Sequence, residues 1–319
     1  MPGRLGAPVC ALARWRVGAF VAGALLGLLL SAATAPAAQT SPRFYFSGDG
    51  VLDLYNAHFD EHLRVRYRDG DGHYDPAALA QLQHLFRSRT DGKSGPISLR
   101  LIELIDFIQD RYRPSKLTLV SGYRSPEFNQ TLRGEGHRVA QASLHTEGLA
   151  ADLQPAGLNL RHLWMQLRAL QLGGVGLYQS DGFIHVDTGA PRFWEPATSG
   201  VEKNLSAENA RLFARTDFDR YTDLDGALIS IHAVTALPIG IRRTARIGDR
   251  ELSIAPAGSG VAAEGDCWVI GEPADVYAFR VASPGPAPAA RAPIRLQTCP
   301  PRIGATPAEI VTNSVERLP

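Results

Sequence analysis

The sequence predicts an α+β fold, a small antiparallel sheet with flanking helices, followed by a C-terminal all-β module. Three observations predict it. Between Arg43 and Glu195, short β-like runs alternate with stretches of helical periodicity. Beyond about residue 220 the helical spacing stops and only strand-like runs remain. The chain has 319 residues and 45% of them are hydrophobic, enough to bury a proper core.

The first element is a leader. Arg4, Arg14 and Arg16 precede the apolar run "VGAFVAGALLGLLLSAA", and "TAPAAQTS" follows with small residues at Ala35 and Ala37. This order is that of a signal peptide over residues 1–37, cleaved after Ala37 because a cut after Ala35 would leave Pro36 next. The apolar run falls short of the roughly 20 residues a stable span needs, and an uncleaved anchor is the alternative. Cys10 leaves with the leader, so Cys267 and Cys299 remain as a pair. In an exported protein such a pair reads as a disulfide, and closing a loop of about 30 residues contributes on the order of 3 kcal/mol. Periplasmic or cell-envelope localisation follows.

Residues 38–220 form the first folded region. "RFYFSG" and "HLRVRYRDGDGHYD" read as strands with a turn at "DGDG". "DPAALAQLQHLFRSR" and "SLRLIELIDFIQDRYRP" carry apolar residues at helical spacing, with Asp75 as N-cap before Pro76 and Pro114 as a stop. "KLTLVSGYRS" is a strand running into a loop. "LNLRHLWMQLRALQLGG" is a third helix ending at Gly173 and Gly174, and "GVGLY" and "GFIHVDTG" are two short strands. Residues 221–319 read as a small disulfide-containing β module, with "ALISIHAV", "LPIGIRR", "CWVIGE", "VYAFRVA" and "IRLQTC" as strands.

The formal charge is only +1 and no block of like charge occurs, so nothing points to nucleic acid or to an electrostatic grip on a membrane. No H-E-x-x-H helix motif and no G-x-S-x-G elbow is present. "DFDRYTDLDG" is acidic but lacks the spacing and terminal Glu of an EF-hand.

The chemistry concentrates in "SLHTEGLAADLQPAG", residues 143–157. In "GLAADLQ", Leu149, Ala151 and Leu153 alternate with Ala150, Asp152 and Gln154, so Asp152 faces away from the core side of a half-buried strand. In "FIHVD" the side chains of Phe183, His185 and Asp187 share one face. If these strands are antiparallel neighbours and His145 lies on the loop entering the first, His145, Asp152 and His185 converge on one ion. Two neutral imidazoles and one carboxylate leave zinc a net positive charge and an open position, the pattern of a catalytic rather than a structural site. Taken singly each residue also has a structural reading, as a hydrogen-bonded histidine or a turn-capping aspartate.

Together they resemble a known group. "SLHTEGLAAD" fits the S-x-H-x-x-G-x-A-x-D signature of zinc-dependent murein peptidases of the D-Ala-D-Ala carboxypeptidase and LAS group. "SGYRSPEFNQTL", "GGVGLYQSDGFIHVDTGAPRFW" and the lead-in "LDLYNAHFDE" resemble the MepK-like (YcbK-like) periplasmic murein endopeptidases, over about Phe44 to Trp194. The resemblance implies one zinc per chain held by His145, Asp152 and His185. It implies an arginine, Arg124, that holds substrate and the charged tetrahedral intermediate, with Ser143, Tyr123 and Asn129 shaping the site. It implies peptidoglycan peptide stems or cross-links as substrate. It is silent on residues 220 to 319.

The general base departs from the group's pattern. The acidic residue that many relatives place three before the last histidine is here Gly182. Asp187 is the preferred proton acceptor, with a role in orienting a ligand as its alternative, and Asp181 and Glu147 behind it. The expected function is zinc-dependent endopeptidase cleavage of murein cross-links. A D,D-carboxypeptidase and a non-catalytic cell-wall binding protein of the same fold are the alternatives.

Overall fold

The computed structural model describes residues 42–134, 143–199, 205–274 and 276–319; the expected leader, residues 1–37, lies outside them. The first region is built on a sheet of β1 (Val51–Asn56), β2 (Glu61–Arg66), β3 (Lys116–Ser121), β4 (Ala150–Ala156), β5 (Gly174–Tyr178), β6 (Phe183–Asp187) and β7 (Arg192–Trp194). Its strand order is β2-β1-β3-β4-β6-β5-β7. The expected small antiparallel sheet is therefore seven-stranded and mixed, because β1 pairs parallel with β3, and β5 with β7. The crossovers that make these parallel pairs involve strands the sequence hid. "RFYFSG" is a series of bends, and the strand is the adjacent "VLDLYN", whose alternate Leu52 and Leu54 are fully buried. β7 has only three residues, too few for a period-two signal.

Four helices cover this sheet's region: α1 (Pro76–Leu85), α2 (Leu99–Tyr112), α3 (Pro126–Gly134) and α4 (Leu160–Leu170). Asp75 caps α1 by accepting from the Ala77 N–H, and α2 ends at Arg113 in the left-handed region just before Pro114. α3 replaces the loop expected after β3. Ser125 caps it, its hydroxyl accepting from the Phe128 N–H. Leu82, Ile102, Ile105, Leu119, Ala151, Leu153, Val175, Ile184 and Val186 form the core between helices and sheet. No helix of the described residues is long and apolar enough to cross a membrane.

The second region is not small. Its ten strands are β8 (Phe213–Thr216), β9 (Arg220–Tyr221), β10 (Leu228–His232), β11 (Ile239–Ile247), β12 (Arg250–Pro256), β13 (Val261–Glu264), β14 (Cys267–Ile270), β15 (Tyr277–Val281), β16 (Ala292–Thr298) and β17 (Glu309–Arg317). They enclose their own apolar core, including Ile229, Ile241, Ile254, Phe279, Ile294 and Leu296. The small size expected goes with missing β8, β9, β12, β13 and β17, whose sequences are short or interrupted by arginine, glutamate and asparagine. The Cys267–Cys299 disulfide joins β14 to the residue after β16, and β11 pairs with both of those strands.

Candidate metal centre

β4 and β6 are antiparallel neighbours with Ala150 opposite Asp187 and Asp152 opposite His185. The two-residue period therefore sends Asp152, His185 and Asp187 to one side and Ala151, Leu153, Ile184 and Val186 into the core. His145 comes from the tight loop before β4, closed by Thr146 N–H to Ser143 C=O and Leu149 N–H to Leu144 C=O.

The structure brings three of the sequence-selected residues to one point. His145 Nε2 lies 3.2 Å from His185 Nδ1 and 3.4 Å from Asp152 Oδ1, and Asp152 Oδ1 lies 2.9 Å from His185 Nδ1. Tetrahedral bonds of about 2.0–2.1 Å to nitrogen and oxygen would separate ligand atoms by about 3.3 Å, so the triangle has the size zinc requires. Among the described residues no fourth histidine, cysteine, aspartate or glutamate joins this group. Three protein donors and an open fourth position are the composition of a catalytic metal site.

The neighbours fix which ring nitrogens face the centre. His145 Nδ1 lies 2.7 Å from the Gly122 carbonyl, which can only accept, so that nitrogen carries the proton and Nε2 presents its lone pair. His185 Nε2 lies 3.0 Å from Asp187 Oδ2 and donates to it, which leaves Nδ1 for the centre. Asp152 directs Oδ1 inward while Oδ2 accepts from Arg124 Nη2 at 2.8 Å. Arg124 also donates through Nε to Ser121 Oγ. Both imidazoles and the carboxylate are thus aimed at one point by groups outside the triangle, as candidate metal donors would be.

Electrostatics agree with this. Burial, then the Arg124 charge, pushes His145 down to about 4, so the ring is neutral and able to donate its lone pair. Burial alone would raise Asp152, but His145, His185 and Arg124 outweigh it and hold the carboxyl well below the usual range. Burial would lower His185, and its hydrogen bonds to Asp152 and Asp187 raise it instead. A cation at the centre would compete with that proton on Nδ1.

Asp187 is completely buried and every side of its carboxylate is used. Oδ1 accepts from the Gly174 and Gly189 N–H groups, and Oδ2 accepts from His185 and, at 2.6 Å, from Arg192 Nη2. Burial opposes ionisation, yet Arg192 and His185 overcome it and depress the group far below the ordinary carboxylate range. A Cβ on Gly174 would stand 2.2 Å from this carboxylate, which is why "GVGLY" opens with glycine.

The other acids named from sequence sit elsewhere. Glu147 turns away and binds His232 Nδ1 at 2.8 Å and the Ala233 N–H at 3.1 Å. Asp181 is exposed on the turn between β5 and β6. Ser143 opens the ligand loop, Tyr123 donates its N–H to Phe86 beside Gly122, and Asn129 is buried in α3. Sequence reasoning missed Trp194, whose ring centroid is 5.1 Å from that of His185, and Tyr178, whose hydroxyl accepts from Trp194 Nε1. A signal existed in the second glycine of "GVGLY". A Cβ on Gly176 would lie 2.6 Å from the indole, so only glycine lets Trp194 cross the strand. Arg192 was missed too, its pairing with Asp187 across five residues having no periodic signature.

Comparison with known proteins adds to this geometry. A family model described as peptidoglycan L,D-endopeptidase MepK matches residues 47–194. Peptidoglycan L,D-endopeptidase MepK of Escherichia coli K12 is 35% identical over 176 residues, 54% of this chain and 93% of that protein. Probable peptidoglycan L,D-endopeptidase MepK of Haemophilus influenzae is 31% identical over 147 residues, 46% of this chain and 78% of that protein. No solved structure matches significantly.

Proposed function

The chain belongs to the MepK family of peptidoglycan endopeptidases, and on that premise we propose that it is a zinc-dependent peptidase acting in the cell envelope on peptide cross-links of peptidoglycan. The observation that carries the reading is the triangle of His145 Nε2, Asp152 Oδ1 and His185 Nδ1, with each donor aimed by a partner outside it. The relatives are named L,D-endopeptidases, which favours an amide between an L- and a D-configured centre as the bond cut.

His145, Asp152 and His185 would hold the ion. Zinc bound there supplies a Lewis acid for the scissile carbonyl and lowers the pKa of water to about 7. Arg124, 15% exposed beside Asp152, keeps donor hydrogens free of Asp152 and Ser121 for the oxyanion as the carbonyl carbon becomes tetrahedral. Asp187 does not suit proton acceptance, because four donors already stabilise its charge and it is sealed from solvent. Its role in this reading is to hold the proton on His185 Nε2. Asp181, exposed on the turn between β5 and β6, is the acid left among those named from the sequence to take a proton from water.

Digestion of purified cross-linked muropeptides, with product masses read out with and without a zinc chelator, tests the proposal. Cross-linked dimers should fall to monomers only when zinc is present. Release of terminal D-alanine alone would identify a carboxypeptidase, and binding without cleavage a wall-binding protein.

A further inference from the structure

The second β region lies wholly beyond residue 194, where the family match ends, yet it touches the ligand-bearing segments at three points. Glu147, two residues after His145, accepts from His232 Nδ1 with Oε2 and from the Ala233 N–H with Oε1. Phe213 packs against the buried cluster of Leu144, Leu149 and Ala150 on either side of the loop. Arg215 donates through Nε at 2.7 Å to the carbonyl of Thr188, the residue following Asp187. Phe213 and His232 are ladder partners on β8 and β10, with ring centroids 5.2 Å apart, so one edge of the second sheet supplies all three contacts.

We infer that this edge positions the metal-ligand loop, with Glu147 and His232 as the positioning pair. The inference rests on the metal reading of His145. The loop's other supports come from the first region. Ser98 N–H donates to Gly148 C=O, Arg124 N–H donates to His145 C=O, and Gly148, at φ +66°, sits so close to Pro96 that a Cβ would stand 1.9 Å from its carbonyl oxygen. The first region thus holds the loop through the His145 and Gly148 carbonyls, and the second sheet holds it through the Glu147 carboxylate. The pair is largely shielded, with side-chain exposures of 13% for His232 and 26% for Glu147, so water replaces it poorly. Releasing Glu147 would let the loop rotate about its remaining anchors and move His145 Nε2 out of its triangle with Asp152 and His185. A ligand displaced by a few tenths of an ångström loses affinity without loss of fold.

The test uses the purified chain and its Glu147→Ala, His232→Ala, double and Glu147→Gln variants. Zinc affinity is measured by chelator competition, and hydrogen exchange is measured at the loop amides of Thr146 and Leu149. Each alanine variant should bind zinc about 10-fold more weakly. The double variant should lose no more than Glu147→Ala alone, because that substitution already removes the contact His232 makes. Glu147→Gln, whose amide oxygen still accepts from Ala233, should recover most of the affinity, a rescue that general destabilisation would not give. The loop amides should exchange faster in the alanine variants even without metal. Unchanged zinc affinity and unchanged exchange in Glu147→Ala would overturn the positioning role. A wild-type chain that binds no zinc would overturn the metal reading instead, and the exchange result would still decide whether the second sheet holds the loop.

Discussion

Asp152 and His185 are direct partners in the β4–β6 ladder, and their side chains meet at 2.9 Å on the face opposite the core. Backbone register fixes that distance. A one-residue slip of β6 would turn His185 to the core side and bring Ile184 and Val186 to the open face, which burial of the core forbids. Two of the three donors are therefore preset by the sheet, and only His145 depends on a loop.

This predicts unequal consequences for the ligands. Purified protein should contain about one zinc per chain. His145→Ala and Asp152→Ala should each abolish stoichiometric zinc and lower turnover on cross-linked muropeptides on the order of 10³-fold or more. Asp152→Ala should also lower thermal stability more than His145→Ala, since it leaves Arg124 without its carboxylate. Metal analysis and melting curves check both; full zinc in either variant would reject the ligand set.

How much of this was legible follows from what each residue's signal depends on. Period-two alternation in "GLAADLQ" and "FIHVD" already put Asp152 and His185 on one face, because that pattern is a property of single strands. Their pairing as neighbours required tertiary information, and so did the fate of the acids. Glu147 and Asp187 look alike as free carboxylates in a string of letters. One is claimed by His232, 85 residues away, and the other by two glycine amides, His185 and Arg192. The parallel strands β1 and β7 were missed for a related reason, β7 being short and β1 having been placed in the bends just before it.

Thiol counting tests export and the bridge together. The whole sequence has three cysteines, and Cys267 and Cys299 are joined across a separation of 32 residues. Protein that has lost residues 1–37 should show no titratable thiol when unreduced, whereas a chain retaining its leader should show one, Cys10. Reduction should lower stability by roughly 3–4 kcal/mol in the loop-entropy picture. Two free thiols in unreduced mature protein would remove the bridge.

A pH effect on stability is expected from Asp106, away from the metal centre. Its side chain is fully buried, accepts from Tyr67 Oη and the Gly50 N–H, and is pushed up to about 7 by burial, the nearby Asp110 and Asp49 charges adding to the effect. A raised carboxyl binds its proton more tightly in the folded state. Its stabilising contribution is thus complete below the unfolded value near 4 and is lost as pH rises through about 7. The span corresponds to at most about 4 kcal/mol. Urea unfolding from pH 4 to 8 should show wild type losing stability relative to Asp106→Asn, which cannot ionise. Parallel curves for the two proteins would place the titration elsewhere.

Asp187→Asn separates the two roles the sequence left open. Oδ1 holds the Gly174 and Gly189 amides, while Oδ2 faces His185 Nε2 and Arg192 Nη2. An asparagine that keeps its oxygen on the two glycine amides must turn its NH₂ toward His185. That imidazole then has to accept at Nε2 and carry its proton on Nδ1, the nitrogen aimed at Asp152 and His145. The variant should therefore bind zinc about 10- to 100-fold more weakly, as loss of an orienting partner does, and recover most of its kcat at saturating zinc. Removal of a true proton acceptor would do the opposite, leaving zinc in place and lowering kcat by about 10²- to 10⁴-fold. Chelator competition and turnover at high zinc distinguish these outcomes. Unaltered zinc affinity with collapsed turnover would return Asp187 to the reaction itself and free Asp181 from the role proposed for it.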